Sequence, residues 1–316
     1  MIHFSATEIE TALPLKKVID ALKEGLKAIH SGKYFVPQRI HIDHEGITLL
    51  IMPAFGPNYF CTKLVSVVEA NQARDLPLIM GSLALNDKAT GTPLAKMDAP
   101  MITALRTGAI GAIGLDLIAD IHTSKIGIIG TGMQGYWQTR FAYEVRPVKE
   151  VYCYSTSAKS AQKYIDKVKK ALPEVKVKVC DTPEEVVRSS ECIYTCTNST
   201  VPVFANDESI IAGKKFLSIG SFRPEMQELP DLVYQMSDGL IIDSEAAKKE
   251  VGDVIRSLEK EWIVPNELTM LDALIAGKSS LEKDKTYTFK SVGLAAFDLA
   301  FASAIYDHAK YFVPDS

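Results

Sequence analysis

The chain reads as an α/β protein: a doubly wound parallel sheet plus a smaller α+β domain built on an antiparallel meander. Three observations predict this. From Lys125 onward, short apolar β-type runs alternate with helical patterns, the signature of a parallel sheet with both faces covered. Before Asp98, strand-like runs instead follow one another with only Gly/Asn/Asp-rich turns between them. At the junction, the run Ile126–Ile129 leads straight into Gly130-x-Gly132-x-x-Gly135 and an apolar helical pattern with Trp137, Phe141, Ala142 and Val145.

Taken in order, residues 14–30 form an amphipathic helix with Pro14 in its first turn and a stripe of Leu15, Val18, Ile19, Leu22, Leu26 and Ile29. Strands are expected at 39–42, 47–52, 60–68, 78–85 and 93–97. His41 and His44 flank a hairpin turn, Asp43-His44-Glu45-Gly46, and are read as solvated hairpin positions. Asp98 caps a helix that has Pro100 in its first turn and runs to about Asp120. The second half is expected to place strands at 125–129, 150–155, 176–180, 191–195, 216–219 and 239–242. Its helices are expected at 133–145, 157–171, 183–189, 244–249 and 267–276. Thr182-Pro183-Glu184-Glu185 reads as a capping box with Pro at the first helical position. Residues 290–310 read as a last helix, too apolar to stand alone.

The glycine segment is the dinucleotide-binding fingerprint in its required context, so the second half is expected to be a Rossmann domain. Gly130 allows the turn out of the strand, Gly132 lets the backbone approach a pyrophosphate, and Gly135 lets the helix pack on the sheet. With Thr131, Met133 and Gln134 they form the loop and first turn, whose free N–H groups and positive dipole end face the phosphates. About 20 residues on, NAD sites commonly end the second strand in Asp or Glu. Here the end reads Ser155-Thr156-Ser157-Ala158-Lys159. Hydroxyls and a lysine replace the carboxylate, which favours NADP(H) with NAD(H) as the alternative. Thr195, Thr197 and Asn198 follow a strand of this domain and are assigned to the cofactor edge.

Composition narrows the class. The chain has 316 residues, 47% hydrophobic and 23% charged, with a formal net charge of −4. No Lys/Arg cluster lies on a helix, which argues against nucleic acid. No apolar run is expected to reach membrane-spanning length, since Ala109–Ile121 carries Asp116 and Asp120. The N-terminus lacks a basic region followed by an apolar core, so no secretion signal is read. Five cysteines without a CxxC fit reduced thiols in a cytoplasm, Cys192 and Cys196 being read as residues of a buried strand. The six histidines do not cluster at ligand spacing, and no metal is expected.

Several segments together resemble the ornithine cyclodeaminase/μ-crystallin family along nearly the whole chain. They are Met52-Pro-Ala54, Lys63 in Thr-Lys-Leu-Val, Gly91-Thr-Pro-Leu-Ala, Ile102-Thr-Ala-Leu-Arg106-Thr107-Gly-Ala, Ile129-Gly-Thr-Gly-Met-Gln134, Thr195-Cys-Thr-Asn-Ser-x-x-Pro202-Val203 and Phe289-Lys-Ser-Val-Gly293. The resemblance implies a homodimer. Residues 1–120, joined by 291–316, would form the dimerisation and substrate domain, and residues 121–290 the NAD(P)-binding domain. It also implies chemistry at an imine or imino acid, with hydride moving to or from nicotinamide.

By the same resemblance Arg39, Lys63 and Arg106 line a carboxylate pocket, with Lys63 and Arg106 carrying catalysis. Arg suits this because its fork matches a carboxylate. Lys63 and Arg106 interrupt apolar segments, where a charge is costly unless paired; the alternative for each of the three is a surface charge or a buried ion pair. Lys63 is also a candidate proton relay. Thr107 and Gln134 are assigned to phosphate and nucleotide, and Ser291 and Gly293 to the nicotinamide end. Glu228 and Asp243 are read as structural or capping residues.

One departure matters most. Cyclodeaminases and the alanine dehydrogenase of this family carry an Asp where this chain has Phe222, in Ser218-Ile-Gly-Ser-Phe222-Arg-Pro-Glu-Met-Gln-Glu228. This form resembles the ketimine-reductase and pyrroline-carboxylate-reductase branch, with Phe222 packing on a cyclic substrate. The expected activity is therefore NAD(P)H-dependent reduction of Δ1-pyrroline-2-carboxylate to proline or Δ1-piperideine-2-carboxylate to pipecolate. The alternatives are an ornithine-cyclodeaminating ammonia-lyase or alanine dehydrogenase-type enzyme, and a non-catalytic small-ligand-binding protein.

Overall fold

The computed structural model describes residues 1–74 and 76–310. By its contacts the chain forms two units, residues 1–106 with 294 onward and residues 107–293. The sequence reading placed these divisions at 120/121 and 290/291. The expected tail segment 311–316 lies outside the described residues.

The first unit opens with β1 (Ile2–Phe4) and α1 (Ala6–Ala12), both unanticipated. Ser5 caps α1, and the Glu8 carboxylate accepts back from the Ser5 N–H at 2.8 Å, a capping box. Helix α2 (Leu15–His30) follows, with Pro14 at its cap rather than in its first turn. Five strands come next: β2 (Ile40–His44), β3 (Ile47–Phe55), β4 (Tyr59–Val68), β5 (Ile79–Asp87) and β6 (Pro93–Asp98). The sheet order is β1-β6-β5-β4-β3-β2, antiparallel throughout except for the parallel β1–β6 pair. Glu45 and Gly46, both at positive φ, close the β2–β3 hairpin, and His41 and His44 are exposed on it.

The meander's two faces differ sharply. Met52, Ala54, Cys61, Lys63, Val65, Leu83, Leu85, Ala95 and Met97 alternate onto a buried face. On the other, Ile40, Ile42, Ile47, Leu64 and Met80 are exposed, and the register places them on the same face, with Leu49 and Ile51 of β3 between those of β2 and β4.

Helix α3 (Ala99–Ile118) begins in the first unit, with the Asp98 carboxylate accepting from the Met101 N–H at 2.8 Å, and enters the second after Arg106. By length and composition it could cross a membrane, contrary to the sequence expectation, but it is mostly buried inside the protein. The apolar continuity serves packing. A Cβ on Gly108, Gly111 or Gly114 would stand 2.4 Å from Phe141, 1.8 Å from Gln138 and 2.7 Å from Phe289. This stripe of glycines lets the second unit's residues press onto the helix backbone.

The second unit is an all-parallel eight-stranded sheet. Its strands are β7 (Lys125–Ile129), β8 (Glu150–Tyr154), β9 (Lys176–Val179), β10 (Cys192–Thr195), β11 (Lys215–Ser218), β12 (Gly239–Ile242), β13 (Leu268–Met270) and β14 (Tyr287–Lys290). The order is β13-β12-β14-β11-β10-β7-β8-β9. The helices are α4 (Met133–Val145), α5 (Ala158–Ala171), α6 (Pro183–Ser189), α7 (Glu208–Ile211), α8 (Asp231–Gln235), α9 (Ala247–Glu250), α10 (Gly252–Glu259) and α11 (Leu271–Ile275).

Three expectations are corrected. The Thr182 cap is half a box: Thr182 Oγ1 accepts from Glu185 N, but the Glu185 carboxylate takes the Asp181 N–H instead. The helix expected at 267–276 is a short 3-10 turn, β13 and then α11, because Leu268–Met270 extends the sheet beside β12. Residues 287–290 are a strand, and the last helix, α12 (Ala295–Ala309), starts only after Leu294 and belongs to the first unit. There α12 packs on α2 and on β3 and β4, which resolves its apolarity. Cys196 lies one residue past β10, and all five cysteines are free thiols.

Candidate functional site

The first unit concentrates charge where its sequence is most apolar. Lys63 sits on the buried face of β4 and Arg106 on α3, and both reach one carboxylate, Asp298 on α12. Lys63 Nζ lies 2.7 Å from Asp298 Oδ2, and Arg106 Nε donates to Oδ1 at 3.1 Å. Lys63 is 3% exposed, Arg106 6% and Asp298 0%. Lys63 also donates to Thr103 Oγ1 at 3.2 Å. Such a triad is tolerated in a core only because each charge has a partner.

Burial lowers the proton affinity of Lys63. Asp298 opposes that, while Arg106 and Arg39 reinforce it. Burial alone would raise Asp298, but Lys63 and Arg106 hold it below the usual carboxylate range. The triad carries two positive charges and one negative, so it favours one further anion. Arg106 spends Nε on Asp298, and Nη1 and Nη2 make no hydrogen bond to a described residue. That is the half of the guanidinium fork which matches a carboxylate. Arg39 is half-buried just before β2. The sequence thus singled out both cations but missed Asp298 and Thr103. A carboxylate in the first turn of the otherwise apolar stretch 295–305 was the available signal.

In the second unit the fingerprint has the geometry its spacing implies. Gly130 is at φ 100° and donates its N–H to Tyr154 O at 3.0 Å. A Cβ there would lie 2.5 Å from Cys196 O, and one on Gly135 would lie 2.2 Å from Gly130 O. Gly132, the cap of α4, is different: a Cβ would meet nothing within 4 Å. Space is kept where a pyrophosphate approaches in this motif, beside the unpaired N–H groups of Met133, Gln134 and Gly135 that open a helix. Two buried acceptors in this region lack partners, Gln134 Oε1 and Thr195 Oγ1. Cradle and orphaned acceptors together fit a dinucleotide.

The remaining cofactor candidates are held by local bonds. Thr131 Oγ1 and Ser160 Oγ pair at 3.0 Å, tying the glycine loop to α5, a contact the sequence reading missed. Ser155 Oγ accepts from Ser157 N, and Ser157 Oγ caps α5. With Thr156 and Lys159 these residues end β8 without a carboxylate, since Glu150 stands at the strand's other end, paired with Lys178. Thr107 is buried, and its carbonyl accepts from Gln138 Nε2 at 3.0 Å. Asn198 is exposed just past β10. Asp243 accepts from Ser291 Oγ at 2.7 Å and from the N–H groups of Val292 and Gly293, fixing the turn after β14.

The loop that carries Phe222 is anchored from below. Glu228, fully buried, turns back under it. Its Oε1 accepts from Thr197 N at 2.6 Å and Thr197 Oγ1 at 2.8 Å. Its Oε2 accepts from Gly220 N at 2.7 Å, Ser221 N at 3.0 Å and Ser218 Oγ at 3.2 Å. One carboxylate therefore staples the exits of β10 and β11. Ser221 Oγ donates to Asp253, which also accepts from Tyr234 OH at 3.0 Å. Lys290, likewise fully buried, donates to Ser221 O at 2.7 Å and Ser221 Oγ at 2.6 Å. Burial lowers its proton affinity, against the pull of Asp253, Glu228 and Asp243. The Phe222 side chain is 38% exposed with the Arg223 guanidinium over its ring. Glu225 is exposed and faces Arg223 at 3.9 Å. Among the described residues no group of three His, Cys, Asp or Glu is placed to hold a metal ion.

The chain is similar in sequence and fold to known proteins. The chain is 31% identical to a Δ1-pyrroline-2-carboxylate reductase of Bacillus cereus over 317 residues, spanning 98% of this chain and 97% of that protein. The Thermococcus litoralis Δ1-pyrroline-2-carboxylate reductase, solved with NADH and L-proline, superposes with a TM-score of 0.91 at 29% identity, covering 99% of this chain and 98% of that one. An archaeal alanine dehydrogenase dimer with bound NAD superposes with a TM-score of 0.89, also at 29% identity, covering 100% and 98%. Residues 2–311 match the ornithine cyclodeaminase/mu-crystallin family as a whole, and the chain belongs to that family.

Proposed function

We propose that the protein is an NAD(P)H-dependent reductase of cyclic ketimine carboxylates, taking Δ1-pyrroline-2-carboxylate to L-proline or Δ1-piperideine-2-carboxylate to L-pipecolate. The single observation that carries this choice is the occupied state of Glu228. Deamination needs a carboxylate to take the substrate's ammonium proton, and the position this family uses for it holds Phe222. The nearest acids that follow Phe222 in sequence are Glu225 and Glu228, and five donors already saturate Glu228 in the core. Glu225 is exposed beside Arg223. Reduction of a preformed imine asks for less: a bound carboxylate, a hydride and one proton.

The roles follow from the chemistry of each group. Arg106, with Arg39, takes the substrate carboxylate in a charge-assisted fork. Lys63 holds a proton at Nζ that can pass to the imine nitrogen directly or through water. Residues Gly130–Gly135 and the first turn of α4 hold the pyrophosphate. Thr195, Thr197, Asn198, Ser291 and Gly293 border the rest of the cofactor. When bound, the nicotinamide supplies the hydride. NADPH is the favoured form, because Ser155, Thr156 and Lys159 meet the ribose where a carboxylate would repel a 2′-phosphate. The exposed apolar strip of Ile40, Ile42, Ile47, Leu64 and Met80 supports a homodimer closing over this face of the sheet.

The test is direct. Purified protein should consume NADPH with either cyclic imino acid, at least as efficiently as NADH, and release no ammonia from ornithine. Steady ammonia and proline formation from ornithine would overturn the assignment. A strong preference for NADH would overturn the cofactor reading alone.

A further inference from the structure

We propose that Asp298 is the positioning residue of the carboxylate clamp: it locks Arg106 through Nε, leaving the Nη pair for the substrate, and keeps Lys63 an ammonium. The inference deepens the proposed reaction and rests on that reading for the identity of the anion.

Three observations carry it. The two oxygens of Asp298 are divided between the two cations, 2.7 Å to Lys63 Nζ and 3.1 Å from Arg106 Nε. The charged groups that act most strongly on Lys63 are Asp298 on α12, Arg106 on α3 and Arg39 before β2, and of these Asp298 alone is an anion. The nearby thiol of Cys61 is pushed up by burial and is neutral. Finally, Asp298 is completely buried, so solvent cannot replace its charge. Without it, Lys63 and Arg106 would be left in the core with no anion, beside half-buried Arg39, and Lys63 is the one able to shed its proton, since arginine does not deprotonate in proteins.

A carboxylate bridging two cations also controls geometry. An arginine held only at its tip can swing, whereas one held at Nε presents Nη1 and Nη2 in a fixed plane. Asp298 then acts through Lys63 and Arg106 without touching substrate. Loss of its charge should move the pH range of substrate binding as well as its strength. A role in packing alone would lower the amount or stability of protein and leave that range in place.

The experiment uses the full chain with Asp298→Asn and Asp298→Glu. Binding of pyrrole-2-carboxylate, a planar cyclic carboxylate that cannot be reduced here, is measured by calorimetry across pH, alongside kcat/KM for the cyclic imino acid. In Asp298→Asn the alkaline midpoint of binding should move down by about one pH unit or more, the size expected on removing an adjacent opposite charge. Asp298→Glu should keep the midpoint and raise KM, because the longer arm restores charge but not the grip on Nε. Lys63→Arg, which cannot deprotonate, should lose the alkaline limb altogether, and this reading needs no Asp298 variant to fold. An unmoved midpoint in Asp298→Asn, or a persisting limb in Lys63→Arg, overturns the proposal. If the shift appears but wild-type protein reduces no cyclic imino acid, the clamp stands and the assigned reaction falls.

Discussion

Replacing Glu228 with glutamine tests the staple under the Phe222 loop with little change of volume. The glutamate gives each oxygen to several donors: two from Thr197 on Oε1, and Gly220 N, Ser221 N and Ser218 Oγ on Oε2. A glutamine must turn its NH2 toward one of these groups. Facing Thr197 it orphans one backbone N–H; facing Gly220 and Ser221 it orphans two. The cheaper orientation still leaves a buried donor unpaired, at about 1–3 kcal/mol, and removes the charge that strengthens the other bonds. A net loss of about 2–3 kcal/mol is expected, which in a domain of this size lowers Tm by roughly 4–12 °C. Because Thr197 and Gly220 stand at the strand exits where this fold binds dinucleotides, NAD(P)H affinity should fall as well. Thermal denaturation followed by circular dichroism reads the first effect, and titration of cofactor fluorescence the second. A Tm within about 1 °C of wild type would refute the reasoning, since it would mean those N–H groups find other partners at no cost.

Three further outcomes are expected. Arg106→Ala removes charge-assisted bonds of about 1.5–3 kcal/mol and should lose at least roughly tenfold in kcat/KM while cofactor affinity holds; wild-type turnover would remove Arg106 from the site. Gly135→Ala forces a methyl to within 2.2 Å of Gly130 O, so the loop must shift and cofactor affinity should drop by an order of magnitude or more, while an unchanged Kd would show that the loop yields freely. Asp298 is held below its unfolded proton affinity by Lys63 and Arg106 against the effect of burial, so its contribution to stability is full above the ordinary carboxylate range and lost as pH falls through the folded value; acid denaturation should be shallower in Asp298→Asn, and identical acid profiles would count against the ion triad.

Most of the second unit was legible because its signals are local. Most of its first six strands are short apolar runs bounded by a helix pattern or turn, β9 (Lys-Val-Lys-Val) being an alternating one, and Gly130, Gly132 and Gly135 announce their own geometry. What was missed depends on distant pairing. Leu268–Met270 is a strand only because β12 lies beside it, and Tyr287–Lys290 only because β11 and β12 flank it. The site shows the same division. Lys63 and Arg106 stand out as charges in apolar segments, but their partner lies 192 residues beyond Arg106, on a helix whose hydrophobicity pointed to packing alone. Glu228 was read as structural, and its five donors give that reading a physical content.

The position of β14 bears on how the polypeptide is made. This strand, near the end of the chain, lies between β11 and β12 in the middle of the parallel sheet. Until residue 290 has left the ribosome, β11 presents a bare edge, and the β12–β13 pair has nothing to dock against. Unpaired edges of this kind invite association with other chains. Vectorial synthesis therefore leaves the sheet unfinished from β7, which starts at Lys125, until β14 is made at Lys290, and α12, which closes the first unit, emerges later still. A chain truncated after Lys285 should be captured by chaperones or aggregate, whereas one ending at Ala309 should remain soluble. Equal solubility of the two would show that the other strands close the gap themselves.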